Sequence, residues 1–298
     1  MTDPAIAVMQ DARPLEVVGL GKRRVWVSVV LHVLLIGASI VMLYPLLWML
    51  SASFRPEEEI FSSTSLIPSA VSLAAYPRGW FGLRVDFGTF FWNSFVISAL
   101  SVAGNVMACS LAAFAFARLR FRGRNFWFAI MLGTLMLPYH VTLIPQYVLF
   151  LNLGWVGTIL PLVVPKFLAA DAFFIFLMVQ FFRGIPRELH EAAMMDGCSA
   201  WRIYWKIMLP LSLPVLATAA IFTFIWTWDD FFGPLIYLND MRDYTVQLGL
   251  RSFVDSTGLS DWSGLFAMSI LSLIPVFFFF LFFQRLLIEG IATTGLKR

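Results

Sequence analysis

Residues 183–210 read RGIPRELHEAAMMDGCSAWRIYWKIMLP. Local signals in this stretch spell a short helix, a turn and a second helix. Pro186 suits a first helical turn, where its missing N–H costs nothing. Glu188 and Glu191 follow near the positive end of the helix macrodipole. Asp196-Gly197 is a stop signal, because glycine takes the left-handed conformation beyond a helix C-terminus without steric cost. Ser199 is placed to cap the second helix, and Pro210 marks its passage into the next apolar stretch. Ala192, Ala193 and Gly197 give the first helix a face with little side-chain bulk, while Leu189, Met194 and Met195 add an adaptable apolar surface. Two readings stand level on physics alone: a knob that docks into a partner, or a surface hairpin closed by a glycine turn.

The sequence on either side decides the solvent. Residues of the AVILMFWYC set make up 60% of the 298 residues and charged residues 13%. Soluble domains run at roughly 45–50% and about 25%, so lipid is the expected solvent. About 20 apolar residues cross a hydrocarbon core of about 30 Å, and six stretches qualify: 25–50, 92–117, 126–150, 157–182, 208–238 and 264–287. The expected fold is an all-α membrane protein with six transmembrane helices. The hairpin 183–210 lies between spans four and five, a tail covers residues 1–24, and one transmembrane domain covers 25–298. The first apolar run is too long for the apolar core of a signal peptide and is expected to stay as an anchor.

Basic residues orient these spans. Arg13, Lys22, Arg23 and Arg24 precede the first span, and Arg118, Arg120, Arg122 and Arg124 follow the second. Arg183, Arg187, Arg202 and Lys206 follow the fourth, and Arg285, Lys297 and Arg298 close the chain. The alternate loops carry only Arg55, Arg78, Arg84, Arg242 and Arg251. The positive-inside rule therefore puts both termini and the hairpin in the cytoplasm. Pro45, Pro138, Pro145, Pro161, Pro165, Pro234 and Pro275 interrupt the spans. One such proline is ordinary kinked packing, but seven favour a transporter that bends.

Several function classes find no material here. A net charge of +3 is too small to argue for nucleic acid. Cys109 and Cys198 make no disulfide framework, and three histidines (His32, His140, His190) with no His-Glu-x-x-His or paired-Cys pattern leave little for a metal. No phosphate-binding G-x-x-x-x-G-K-[ST] loop occurs. No cofactor and no catalytic residues are expected.

The hairpin resembles the EAA loop of ABC-importer membrane subunits: Glu-Ala-Ala, three residues, Gly, then Leu-Pro about a dozen residues later. Glu191, Ala192, Ala193, Gly197, Leu209 and Pro210 match that pattern. The resemblance implies that this loop is the coupling helix seated in a cleft of the nucleotide-binding subunit. A second stretch, FIWTWDDFFGPLI (Phe224–Ile236), is similar to a Trp-Asn-x-Phe segment of the carbohydrate-uptake branch, in subunits like the maltose-type "G" permease. Trp228, Phe231, Pro234 and Leu235 match, and Asp229 stands where asparagine is usual. The ending EGIATTGLK (Glu289–Lys297) also resembles that branch. The likeness covers roughly residues 25–298. It implies a bacterial inner-membrane permease working beside a second homologous permease, two ATP-binding subunits and an extracytoplasmic solute-binding protein. ATP is then hydrolysed by the partners and not by this chain. A secondary transporter or channel would lack the EAA loop, and a membrane-embedded enzyme would need an acid–base or metal set.

Charges inside spans are costly and mark pathways or partners. Asp229 is the first candidate for lining the cavity, because it holds the matched asparagine position; Asp230 sits beside it. Lys166 and Asp171 flank the Pro165 break, and either pair with each other or border the pathway. Trp226, Trp228, Phe231 and Phe232 either stack sugar rings or belong to the interfacial aromatic belt. The arginines from Arg118 to Arg124 read first as a topology signal.

Overall fold

Long unbroken apolar runs and the punctuation between them set the elements. The computed structural model describes residues 20–62, 65–254 and 260–295. The first 19 residues and the last three, with Arg13, Lys297 and Arg298, lie outside the described residues. Every regular element among those described is helical.

Residues up to Met49 form a unit of their own, most of α1 (Leu20–Ala52). From Val25 to Leu47 its side chains are exposed around the whole circumference, and nearly all are apolar. A helix that is hydrophobic all round is stable where its surroundings are apolar too. Its 33 residues reach about 50 Å at 1.5 Å per residue.

The second unit, from Leu50 onward, is built on α3 (Phe87–Arg118), a 32-residue helix preceded by the short α2 (Ala75–Phe81). Small residues line the buried side of α3: Ser94, Ser98, Ser101, Gly104, Ser110, Ala113 and Ala117. Such a seam lets neighbouring helices approach closely. A Cβ on Gly104 would lie 2.5 Å from the Phe167 ring, so glycine is required for that approach. Against α3 pack α6 (Leu160–Phe167), α7 (Ala172–Gly184), α10 (Leu213–Trp228) and α12 (Val246–Arg251). The last long helix, α13 (Trp262–Gly295), packs on α10 and α2.

Four described stretches are long and apolar enough to cross a membrane, namely α1, α3, α6 with α7 taken together, and α13, or five if the bent pair α9 (Ala200–Leu211) and α10 counts as one. The expected third span is not a single helix. It consists of α4 (Arg124–Thr134) and α5 (Tyr139–Asn152), each shorter than a crossing. Pro138 removes an amide donor and disfavours helix at Leu137, and i→i+3 bonds from Leu135 and Met136 close off α4. The fourth expected span is also divided. Between α6 and α7 the chain turns through Ala169, a non-glycine residue in the left-handed region with φ 52°. In the fifth, Pro210 follows a π-helical stretch, Tyr204–Met208, whose wider i→i+5 bonding accommodates the missing proline donor. The chain then bends by 77° at Ser212.

Two apolar clusters hold the second unit together. One joins the C-terminal half of α3 to α7, α9 and the start of α10 through Phe114, Phe174, Met178, Phe182, Tyr204 and Met208. The other joins the N-terminal end of α3 to α10, α12 and α13 through Phe87, Phe90, Phe224, Trp228, Val246 and Met268. Beside the second cluster, Arg78 forms a forked pair with Asp261, Nε–Oδ2 at 3.1 Å and Nη2–Oδ1 at 3.2 Å.

Candidate functional site

The hairpin beyond α7 is built as its local signals dictate. Pro186 is the N-cap of α8 (Arg187–Met195). Its far end is a Schellman closure: Cys198 N–H donates to the Ala193 carbonyl at 2.9 Å and Gly197 N–H to the Met194 carbonyl at 3.0 Å. Gly197 has φ 75°, and a Cβ added there meets no heavy atom within 4 Å. Ser199 then caps α9, its side chain accepting from Arg202 N–H at 3.3 Å.

The six matched residues divide between two surroundings. Glu191, Ala192, Gly197 and Pro210 are exposed, together with Leu189, Met194 and Met195. Glu191 makes no hydrogen bond or ion pair among the described residues. Ala193 does not share that open face. It is 6% exposed and sits in the apolar cluster with Phe114 and Tyr204, because one side of a nine-residue helix must pack on its own chain. Leu209 is half-buried against the same cluster.

Three contacts fasten the hairpin to the end of α3. One terminal nitrogen of Arg118 donates to the carbonyls of Phe182 and Ile185, each at 2.5 Å, and so gives Phe182 a second donor beside the Ile185 N–H at 3.3 Å. Tyr204, 1% exposed, is hydrogen-bonded to Ser110 Oγ at 2.7 Å. Phe114 lies 5.4 Å from the Tyr204 ring and 6.3 Å from His190. His190 Nδ1 is buried without a partner, and burial, helped by the nearby Arg118 charge and opposed by Glu191, holds its pKa below the ordinary 6.5. Between α8 and the α3–α4 turn opens a cleft of about 720 Å³ lined by Arg118, Arg120, Arg124, Arg187, Glu191 and Met194 among others.

The expected pathway residues are dispersed. Trp228 is 1% exposed in the second cluster, its indole N–H donating to the Ser272 carbonyl at 3.1 Å; it supports the core and does not line a surface. Asp229 is exposed and accepts from Gln247 Nε2 at 3.3 Å. Phe231 is half-buried, edge-on to Phe232 at 5.7 Å. Lys166 and Asp171 are paired, Nζ–Oδ2 at 2.8 Å, bridging the break between α6 and α7. Asp230 lines a cavity of about 90 Å³ together with Lys166, Trp226 and Thr245.

Residues 104–293 match the family described as binding-protein-dependent transport system inner membrane component. The chain belongs to this family. The arabinooligosaccharides transport system permease protein AraQ of Halalkalibacterium halodurans is 34% identical to this inner membrane component, over 85% of this chain and 91% of its own. The trehalose/maltose transport system permease protein MalG of Thermococcus litoralis is 32% identical, over 89% and 96%. A solved chain from a bacterial ABC transporter importing the acidic polysaccharide alginate shares the fold, with a TM-score of 0.78 at 24% identity over 89% of this chain and 97% of that one.

In this inner membrane component the residues that act across distance carry no local signal in the sequence. In the sequence Arg118 stands in a row of topology arginines; in the fold its guanidinium turns inward onto the end of α7. Ser110 and Tyr204 carried no signal, being 94 residues apart. Asp230 ranked below its neighbour because Asp229 held the matched position; the end of α10 at Trp228 turns the two carboxylates different ways.

Proposed function

We propose that this inner membrane component is the permease subunit of an ATP-driven importer of carbohydrates, whether sugar, oligosaccharide or polyol. It forms half of the pathway beside a second, related permease. Two ATP-binding subunits drive it, an external binding protein delivers the solute, and the chain itself hydrolyses no ATP. In this reading there are six crossings, the α4–α5 pair being the third and α10, beyond the bend at Ser212, carrying the fifth. Both termini and residues 183–210 are cytoplasmic, and Lys166, Asp171, Asp229 and Phe231 border the pathway. The carbohydrate class is supported by the relatives' arabinooligosaccharide, trehalose/maltose and alginate systems.

The observation that carries the proposal is α8: a helix closed by a left-handed glycine, clamped to α3 on one side and presenting an unpaired glutamate and two methionines on the other. ATP binding draws the partner subunits together and pulls on α8. Arg118, Ser110 and Phe114 pass that pull to α3, against which most of the bundle packs.

The test is reconstitution of the complete transporter with its binding protein in proteoliposomes. Sugar-loaded binding protein should stimulate ATP hydrolysis and uptake together. ATP hydrolysis by this chain alone, or uptake driven by an ion gradient without ATP, would overturn the proposal.

A further inference from the structure

The cavity beside Asp230 lies where the helices of the bundle are interrupted. Lys166 is in the last turn of α6 and Thr227 in that of α10. Asp230 sits between α10 and α11 (Phe232–Tyr237), and Thr245 is the N-cap of α12. Within a membrane, broken backbone persists where it is buried in protein or lines a water-filled space, and a volume of about 90 Å³ admits several waters or the edge of one polyhydroxylated ring.

Its walls carry unused hydrogen-bonding capacity. Asp230 Oδ1 accepts from Gly233 N–H at 3.1 Å, which leaves a carboxylate with further acceptor sites. Lys166 spends one of its three donors on Asp171. Thr245 is 2% exposed, makes no cap bond, and its hydroxyl has no partner. A buried hydroxyl left unpaired is destabilising, so its place in the cavity wall points to a ligand or water that completes it. Trp226, half exposed, stands at the same wall.

We propose that this cavity is a subsite for neighbouring hydroxyl groups of a carbohydrate in transit; the assignment rests on the carbohydrate-importer reading above. A pair of adjacent hydroxyls offers two donors and several acceptors. The Asp230 carboxylate takes a proton donor, the Lys166 ammonium supplies one, the Thr245 hydroxyl does either, and the indole of Trp226 covers the C–H face of the ring. Lys166, Asp171 and Asp230 together carry one excess negative charge, so the subsite favours neutral sugars and polyols over carboxylated ones.

The experiment uses the complete transporter, trapped with ATP and vanadate, with binding of radiolabelled maltose, arabinotriose, glycerol and galacturonate measured alongside their uptake. The wild type should carry and bind a neutral member and exclude galacturonate. Asp230→Asn, which keeps the bond from Gly233, should weaken binding of that member about tenfold or more, the scale of one hydrogen bond to a charged group. Thr245→Val should weaken it about three- to tenfold without lowering the melting temperature, and Thr245→Ser should restore it. If the wild type carries a neutral sugar and both variants bind it normally, the subsite is overturned and the importer reading stands. If the wild type carries no neutral member, the carbohydrate reading fails and the subsite falls with it.

Discussion

Gly197 meets two separate demands. Its φ of 75° would cost a residue with a side chain roughly 1–2 kcal/mol, enough to reorient α8 but too little to unfold the bundle. The open space around it means that a larger side chain clashes with nothing in this chain, so any steric penalty comes from a partner. Gly197→Ala therefore isolates the backbone cost, and Gly197→Asp adds bulk and charge. Both should insert at near-normal levels; the alanine variant should keep part of its uptake, and the aspartate variant should lose uptake and release or uncouple its ATP-binding subunits. Co-purification and uptake measured together decide it, and normal behaviour of the aspartate variant would return the hairpin to an ordinary surface turn. His190 gives a pH dependence. Its folded pKa lies below 6.5, so in the window between the two values the unfolded chain binds more protons. Stability of the hairpin should then fall as pH drops below 6.5 and stay flat above it. Amide exchange across residues 187–197, corrected for intrinsic rates, reads this, and His190→Gln should abolish it.

At the scale of elements, what was legible in the sequence was local. Asp-Gly gave the end of α8 and Ser199 the start of α9, because each signal and its effect lie within five residues. The break between α4 and α5 was harder. Pro138 lies within an apolar stretch of spanning length, and hydropathy does not distinguish a kink from an interruption. The burial of Ala193 was hidden for another reason: which side of a short helix turns inward is set by α3, some 80 residues earlier. The two helices of the hairpin are held by different means, which gives a test. Tyr204→Phe removes the bond to Ser110, worth about 1 kcal/mol, and leaves the ring in place against Phe114. It should preserve expression and ATPase co-purification while lowering the stimulation of ATP hydrolysis by loaded binding protein. An unchanged ratio of stimulated to basal hydrolysis would mean that α9 does not carry the pull to α3.

For the molecule as a whole, the count and sidedness of the crossings are the open expectation. Reporter fusions after residues 122, 196 and 295 should report the cytoplasm, and fusions after residues 84 and 242 the outside. An external location for residue 196 would undo the topology and the coupling role together. The composition made the membrane legible, whereas the pairing of distant elements on α3 was not, since no periodicity encodes it. The placing of the arginines near the hairpin also sorts them by their response to ionic strength. Arg118 also lines the cleft but is bound to carbonyl oxygens between packed helices. Arg120 and Arg187 face the cleft, and Arg124 reaches it with one longer bond, 3.3 Å, to the Leu119 carbonyl of the turn. Added salt shortens the screening length from about 10 Å at 0.1 M to about 3 Å at 1 M, and it reaches the outer three far more than the inner one. A concentrated salt wash should strip whatever those three hold and leave α8 fastened in place, so that washed membranes remain ready to take their ATP-binding subunits back.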